Sequence, residues 1–172
     1  MNKLYRKVLV RLVDEGMPVH FPEFALDKFD KNPMRRPANR EFLWQALPDM
    51  RIYISVTPHP GGRDDFQCEI WWSRLGRYPE PVAKIYRPEH YAEDEGWVVL
   101  NECGDLPFAW KIERVDVPPP ASLAEECDDY RGLTEAEAVR LITPLVEQLF
   151  AALTRYGRPI MRDLVAARKE GA

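Results

Sequence analysis

Three histidines and three cysteines are all that 172 residues supply of the side chains most used for nucleophilic, redox and metal chemistry. No nucleophile elbow, phosphate-binding loop, zinc-spaced Cys/His set or dinucleotide fingerprint occurs anywhere in the chain. Cys68, Cys103 and Cys127 are too few and too scattered for a disulfide framework, which points to reduced thiols and a cytoplasmic compartment. Nothing approaches the ~20 consecutive apolar residues of a membrane helix. The early basic residues Lys3, Arg6, Lys7 and Arg11 are spread through an amphipathic pattern with no apolar core behind them, so no signal peptide is expected. Internal repeats are absent too, and the expectation is one α+β domain over residues 1–172. No cofactor and no metal site is expected.

What the chain does have is a strand with two adjacent tryptophans, Phe66-Gln67-Cys68-Glu69-Ile70-Trp71-Trp72-Ser73. Its alternation puts Phe66, Cys68, Ile70 and Trp72 on one face and Gln67, Glu69, Trp71 and Ser73 on the other. One tryptophan of the pair must therefore point away from the other. Residues 51–57 alternate in the same way, with Ile52, Ile54 and Val56 opposed to Arg51, Tyr53, Ser55 and Thr57. Residues 42–47 (closed by Pro48), 97–101 and 108–115 supply further strands, and the connections are short enough for antiparallel neighbours.

Helices flank this sheet. Leu4, Val8 and Leu12 recur every fourth residue and predict a helix over 3–15, ended by Gly16 and Pro18. A short helix is expected from Pro22 to about Phe29, then a loop over 32–39. Pro118-Pro119-Pro120 predicts a stiff linker. Thr134 and Glu137 have the spacing of a capping box at the head of a long helix, with Pro144 expected to kink or break it and Gly157 to cap it. A last short helix is expected over about 160–169. The fold class is α+β: an antiparallel sheet of about 4–5 strands with N-terminal and C-terminal helices packed on it.

Charge is unevenly placed. Residues 79–132 hold 13 Asp/Glu against 5 Lys/Arg, whereas residues 1–78 hold 10 against 13. The acidic middle block repels nucleic acid and attracts a basic partner. Arg35, Arg36, Arg40 and Arg51 near Trp44 and Tyr53 do not reverse this, because the chain is acidic as a whole, with a net charge of -4.

The strand 66–73 with Gly76-Arg77-Tyr78-Pro79 resembles the signature of a group of small bacterial α+β proteins, in which a strand ending Trp-Ser leads to a Gly-Arg-aromatic-Pro turn. The segment 149–159, with Tyr156-Gly157 and Pro159, is similar to a C-terminal helix of that group. No reaction is assigned to its members, so the resemblance implies no catalytic residue. It implies a bacterial protein, and some small acidic bacterial α+β proteins act as immunity or accessory partners of toxins.

The leading expectation is a non-enzymatic protein-binding domain, immunity-like or regulatory. Glu93, Asp94, Glu95, Asp128 and Asp129 would steer a basic protein, and Trp71 or Trp72, framed by Arg74 and Arg77, would anchor it. The rival is an enzyme or small-ligand binder with a tryptophan-lined pocket, using His59 and Glu69 as acid and base. A third expectation is a structural subunit, a homodimer with Trp71 or the C-terminal helix on its twofold axis. Glu69 is expected to pair with Arg51 across strands, and the i, i+3 pair His90/Glu93 to lie in a solvated acidic loop.

Overall fold

The structure is a computed structural model that describes residues 1–27, 39–59, 63–80, 87–113 and 133–170. The predicted loop over 32–39 lies almost wholly outside these residues. So do the linker at Pro118–Pro120 and the acidic residues Asp128 and Asp129.

Six strands form one antiparallel sheet among the described residues. They are β1 (Ala25–Leu26), β2 (Arg40–Leu47), β3 (Met50–Pro58), β4 (Asp65–Ser73), β5 (Glu95–Val99) and β6 (Trp110–Lys111). The spatial order is β1-β2-β3-β4-β5, and β6 pairs with the start of β4. The helices are α1 (Lys3–His20), α2 (Glu135–Ala152) and α3 (Arg158–Glu170). The chain is α+β, with helices at both ends of an antiparallel sheet.

The core is built from the even-numbered side of the strands. Phe42, Ile52, Ile54, Val56, Phe66, Cys68, Ile70 and Trp72 are all 3% exposed or less. They share one buried cluster with Tyr5, Val8, Leu9 and Val13 of α1, Ile142 and Leu149 of α2, and Met161 and Leu164 of α3. At about 25 cal/mol per Å² of apolar surface removed from water, this face is the main source of stability.

Several local expectations are corrected. Gly16 and Pro18 do not end α1, which continues to His20. Pro18 falls in the last turn, where one lost amide bond is tolerated. Gly16 serves packing instead: a Cβ there would come within 2.5 Å of Phe150 Cζ, so the glycine lets α1 and α2 approach closely. The helix expected from Pro22 is a turn followed by β1, which pairs Ala25 with Leu43 and Leu26 with Phe42. Sheet pairing outcompetes a helix of about two turns, which is marginal on its own. The strand expected over 97–101 is β5, shifted to Glu95–Val99, and 100–102 form a 3₁₀ turn. The strand expected over 108–115 is only Trp110–Lys111 among the described residues, and its partner is β4 rather than β5.

Thr134 caps α2 as its spacing predicts, its Oγ1 accepting from the Glu137 amide at 3.2 Å. Pro144 does not break α2. Gly157 is not a cap either: residues 153–157 form a π-helical turn that runs directly into α3. The Arg158 amide reaches back five residues to the Leu153 carbonyl. Pro159 has no amide to donate and its ring would crowd the carbonyl four residues back, which a widened turn relieves. A Cβ on Gly157 would lie 3.2 Å from Leu153 Cδ2 and 3.3 Å from Ile70 Cδ1, so here the helical run sits close on the sheet.

Candidate functional site

The odd-numbered side of the strands faces away from that core, and register arranges it in rows. Glu41, Ser55, Glu69 and Val99 form one row across β2, β3, β4 and β5. Leu43, Tyr53, Trp71 and Trp97 form the next. Gln45, Arg51, Ser73 and Glu95 form a third. An acidic row thus lies beside an aromatic row. Strands are about 4.8 Å apart, so Glu41 and Glu69 stand on strands about 10 Å apart with the Ser55 hydroxyl between them.

The aromatic row is continuous. Trp71 and Trp97 stack with centroids 5.1 Å apart and 15° between planes. Tyr78 tilts over Trp71 at 6.1 Å and meets Tyr53 edge-on at 4.9 Å. Tyr78 arrives there because the chain folds back after β4. Gly76 turns with φ of 69°, a left-handed conformation that suits glycine, and the Arg51 guanidinium donates to its carbonyl at 2.7 Å. Pro79 is buried behind the turn. The Gly-Arg-aromatic-Pro motif is thus the device that lays a tyrosine over the outer face.

Polar contacts tie the two rows together. The Tyr78 hydroxyl donates to Glu41 Oε1 at 3.0 Å, and the Trp71 indole donates to Glu69 Oε2 at 3.0 Å. Asn39 Nδ2, Ser55 Oγ and Thr57 Oγ1 continue the polar side at 3.5 and 3.4 Å. Glu41 and Ser55 are each 1% exposed, whereas Glu69, Trp71 and Trp97 are half-buried. Burial raises the Tyr78 hydroxyl pKa well above that of an ordinary tyrosine, and the Glu41 carboxylate, with Glu69 behind it, raises it further. Burial raises Tyr53 as well. Tyr78 therefore stays protonated and donates to Glu41. Carboxylates beside aromatic rings suit a cation, which gains from both.

The sequence-predicted residues are distributed as follows. Trp72 is wholly in the core, its indole donating to the Glu93 carbonyl at 3.0 Å, so of the adjacent pair Trp71 is the one on the outer face. Arg74 is a clasp. Its guanidinium donates to the carbonyls of Tyr91, Ala92, Glu93 and Leu164 at 2.7, 2.5, 2.9 and 3.3 Å, and burial lowers its pKa. Arg77 pairs with Glu80 and Glu95, and Glu95 also accepts from Ser73 Oγ at 3.1 Å. Glu93 pairs with His90 at 2.8 Å. Asp94 is exposed beside them.

Two expected pairings are corrected by register. Glu69 lies opposite Ser55, whereas Arg51 lies opposite Ser73, so no Glu69–Arg51 bridge forms. His59 shares the odd-numbered side but sits at the β3–β4 hairpin, its amide bonded to Asp65. That is four residues, or about 13 Å, along the strand from the Glu69 row. The structure does not bring His59 and Glu69 together. Among the described residues no three His, Cys, Asp or Glu side chains are placed to hold a metal ion. Burial pushes the Cys68 and Cys103 thiols up, away from the thiolate form.

Sequence reasoning found Trp71 and Glu69 but missed Glu41 and Tyr78 as their companions. Strand alternation places Glu41 on the outer side of β2, and pairing it in register with Ser55 is the signal that brings it beside Glu69. Comparison with family models, with curated proteins and with solved structures finds no match to this chain.

Proposed function

We propose that this chain is a non-enzymatic binding domain that takes a basic protein partner on its outer sheet face. A lysine or arginine side chain of the partner lies against Glu69 and the aromatic row of Trp71, Trp97 and Tyr78. The observation that carries this reading is the acidic row lying in register beside the aromatic row. A guanidinium gains from carboxylates and from aromatic faces together. The exposed acids Glu89, Glu93 and Asp94, with Asp128 and Asp129 in the same acidic block, supply the long-range attraction that speeds encounter.

The test follows the emission of the outer-face tryptophans while purified protein is titrated with an arginine-rich peptide and with its glutamate-rich counterpart. Binding is expected for the first only, weakening with added salt. Trp71→Ala and Glu69→Gln should each weaken it by about tenfold, as loss of a cation–π or charged contact does. Binding of both peptides alike, or unchanged affinity in both variants with native thermal melts, overturns the reading.

A further inference from the structure

A second surface lies on the helices, independent of the sheet face. Between α1 and α2 runs a half-open recess of about 590 Å³, floored by Leu12, Val146 and Phe150, with Ala151 on its wall. The Phe150 ring is held there by stacking on His20 at 4.5 Å. The two threonines of the recess do not contribute free hydroxyls: Thr143 and Thr154 each donate to the carbonyl four residues back, at 2.8 Å. The recess is therefore apolar except for its charges, and those have a particular arrangement.

Glu147 and Arg155 both line the recess, four residues before and four residues after Ala151. Glu147 stands about 6 Å before it along the axis, at 1.5 Å per α-helical residue, and Arg155 follows it in the π-helical turn. Ala151 is small and exposed, as a helix crossing point needs. A helix with this pattern is complementary to itself when turned antiparallel, because each Glu147 then faces an Arg155. Neither an all-acidic nor an all-basic partner fits a rim of balanced sign. Arg155 is available for such a contact. Its existing pair with Asp105 is long, 3.6 Å, with both side chains more than two-thirds exposed.

We propose that this face binds a second copy of the chain, α2 against α2, about a twofold axis at Ala151. Residue i then meets residue j and j meets i, the signature of an isologous dimer. Each dimer contains two Glu147–Arg155 pairs and closes both apolar recesses.

The experiment is sedimentation velocity on the full chain from low micromolar to several hundred micromolar, with far-UV circular dichroism and thermal melts as controls for folding. Wild type is expected to shift from monomer to dimer across this range. Glu147→Arg places arginine against arginine at both pairs, and Arg155→Glu places glutamate against glutamate. Each variant alone should weaken self-association by roughly tenfold or more, since two pairs change sign at once. Mixing the two variants restores opposite charges across the interface and should restore a heterodimer. A wild type that stays monomeric throughout overturns the proposal. So do single variants that dimerise like wild type, or folded variants whose mixture stays monomeric.

Discussion

Gly96→Ala adds a single methyl group and should be severely destabilising. Gly96 lies in β5 directly opposite Trp72 of β4. A Cβ there would sit 2.9 Å from Trp72 Cε2 and closer still to Cζ2 and Cη2. The indole cannot retreat cheaply: it is 0% exposed, packed edge-on to Tyr91 at 5.7 Å and hydrogen-bonded to the Glu93 carbonyl. Relieving glycine of its backbone entropy gains about 0.5–1 kcal/mol. Overpacking a dense core costs about 1–3 kcal/mol. If the indole shifts enough to lose its acceptor, a buried N–H is left unmatched for about 1–3 kcal/mol more. The net is a loss of about 3 kcal/mol. For a chain of this size that lowers the melting temperature by about 6–12 °C. Thermal denaturation followed by circular dichroism reads it directly. The companion measurement is a double-mutant cycle with Trp72→Phe, which removes the indole atoms that clash. Gly96→Ala should then be nearly neutral, with a coupling of at least about 1 kcal/mol. A Gly96→Ala protein that melts with wild type, or costs that simply add in the double mutant, refutes the reasoning.

Arg74→Lys should lower stability by about 2 kcal/mol in urea denaturation despite keeping the charge, because an ammonium cannot reach the four carbonyls that the planar guanidinium gathers from the 91–93 turn and α3. A midpoint equal to wild type would show that the clasp contributes nothing. Acid should weaken the helical layer. Glu135 is held below its ordinary 4.5 first by a hydrogen bond from Lys7 and then by the charges of Lys7 and Arg11. Asp49 and Asp105 are held below 3.8, by Arg168 and by the Tyr156 hydroxyl respectively. A carboxylate with a depressed folded-state pKa stabilises above its unfolded value and loses that contribution as pH falls through the folded value. Melting temperature should therefore begin to fall below about pH 4.5. Glu135→Gln should flatten the profile there, and a profile identical to wild type would exclude this origin.

Much of the sheet was legible because its alternation is local. β3 and β4 announce themselves by period two, and the inward set Ile52, Ile54, Phe66, Ile70 and Trp72 follows without knowledge of any partner strand. α1 and α2 were legible for the same reason. Glycine and proline were the misleading signals. Gly16 and Gly157 look like helix ends, but each owes its place to a neighbour far along the chain, Phe150 in one case and Ile70 in the other. β1 and β6 are two residues each, and only the strands they border define them. The candidate site divides similarly. Trp71 and Glu69 stand on the odd side of one strand and are visible there. Glu41 joins them through the register of β2 on β3, and Tyr78 through a reversal hinged at Gly76, and neither is written in local pattern.

The π-helical turn at 153–157 sets the phase of everything after it. Each residue advances a helix by about 100°, so one residue more or fewer turns the whole of α3 by that angle. Met161 and Leu164 face the core while Arg162 and Asp163 face out. Winding the same residues as a regular α-helix, with none removed, would bring Ile160 into the slot of Met161 and Asp163 into that of Leu164. The straighter helix would then set a carboxylate against an apolar pocket. The irregular turn acts as a vernier between two segments of one rod, and a sequence that looks more ideal at 153–157 would fit its sheet less well.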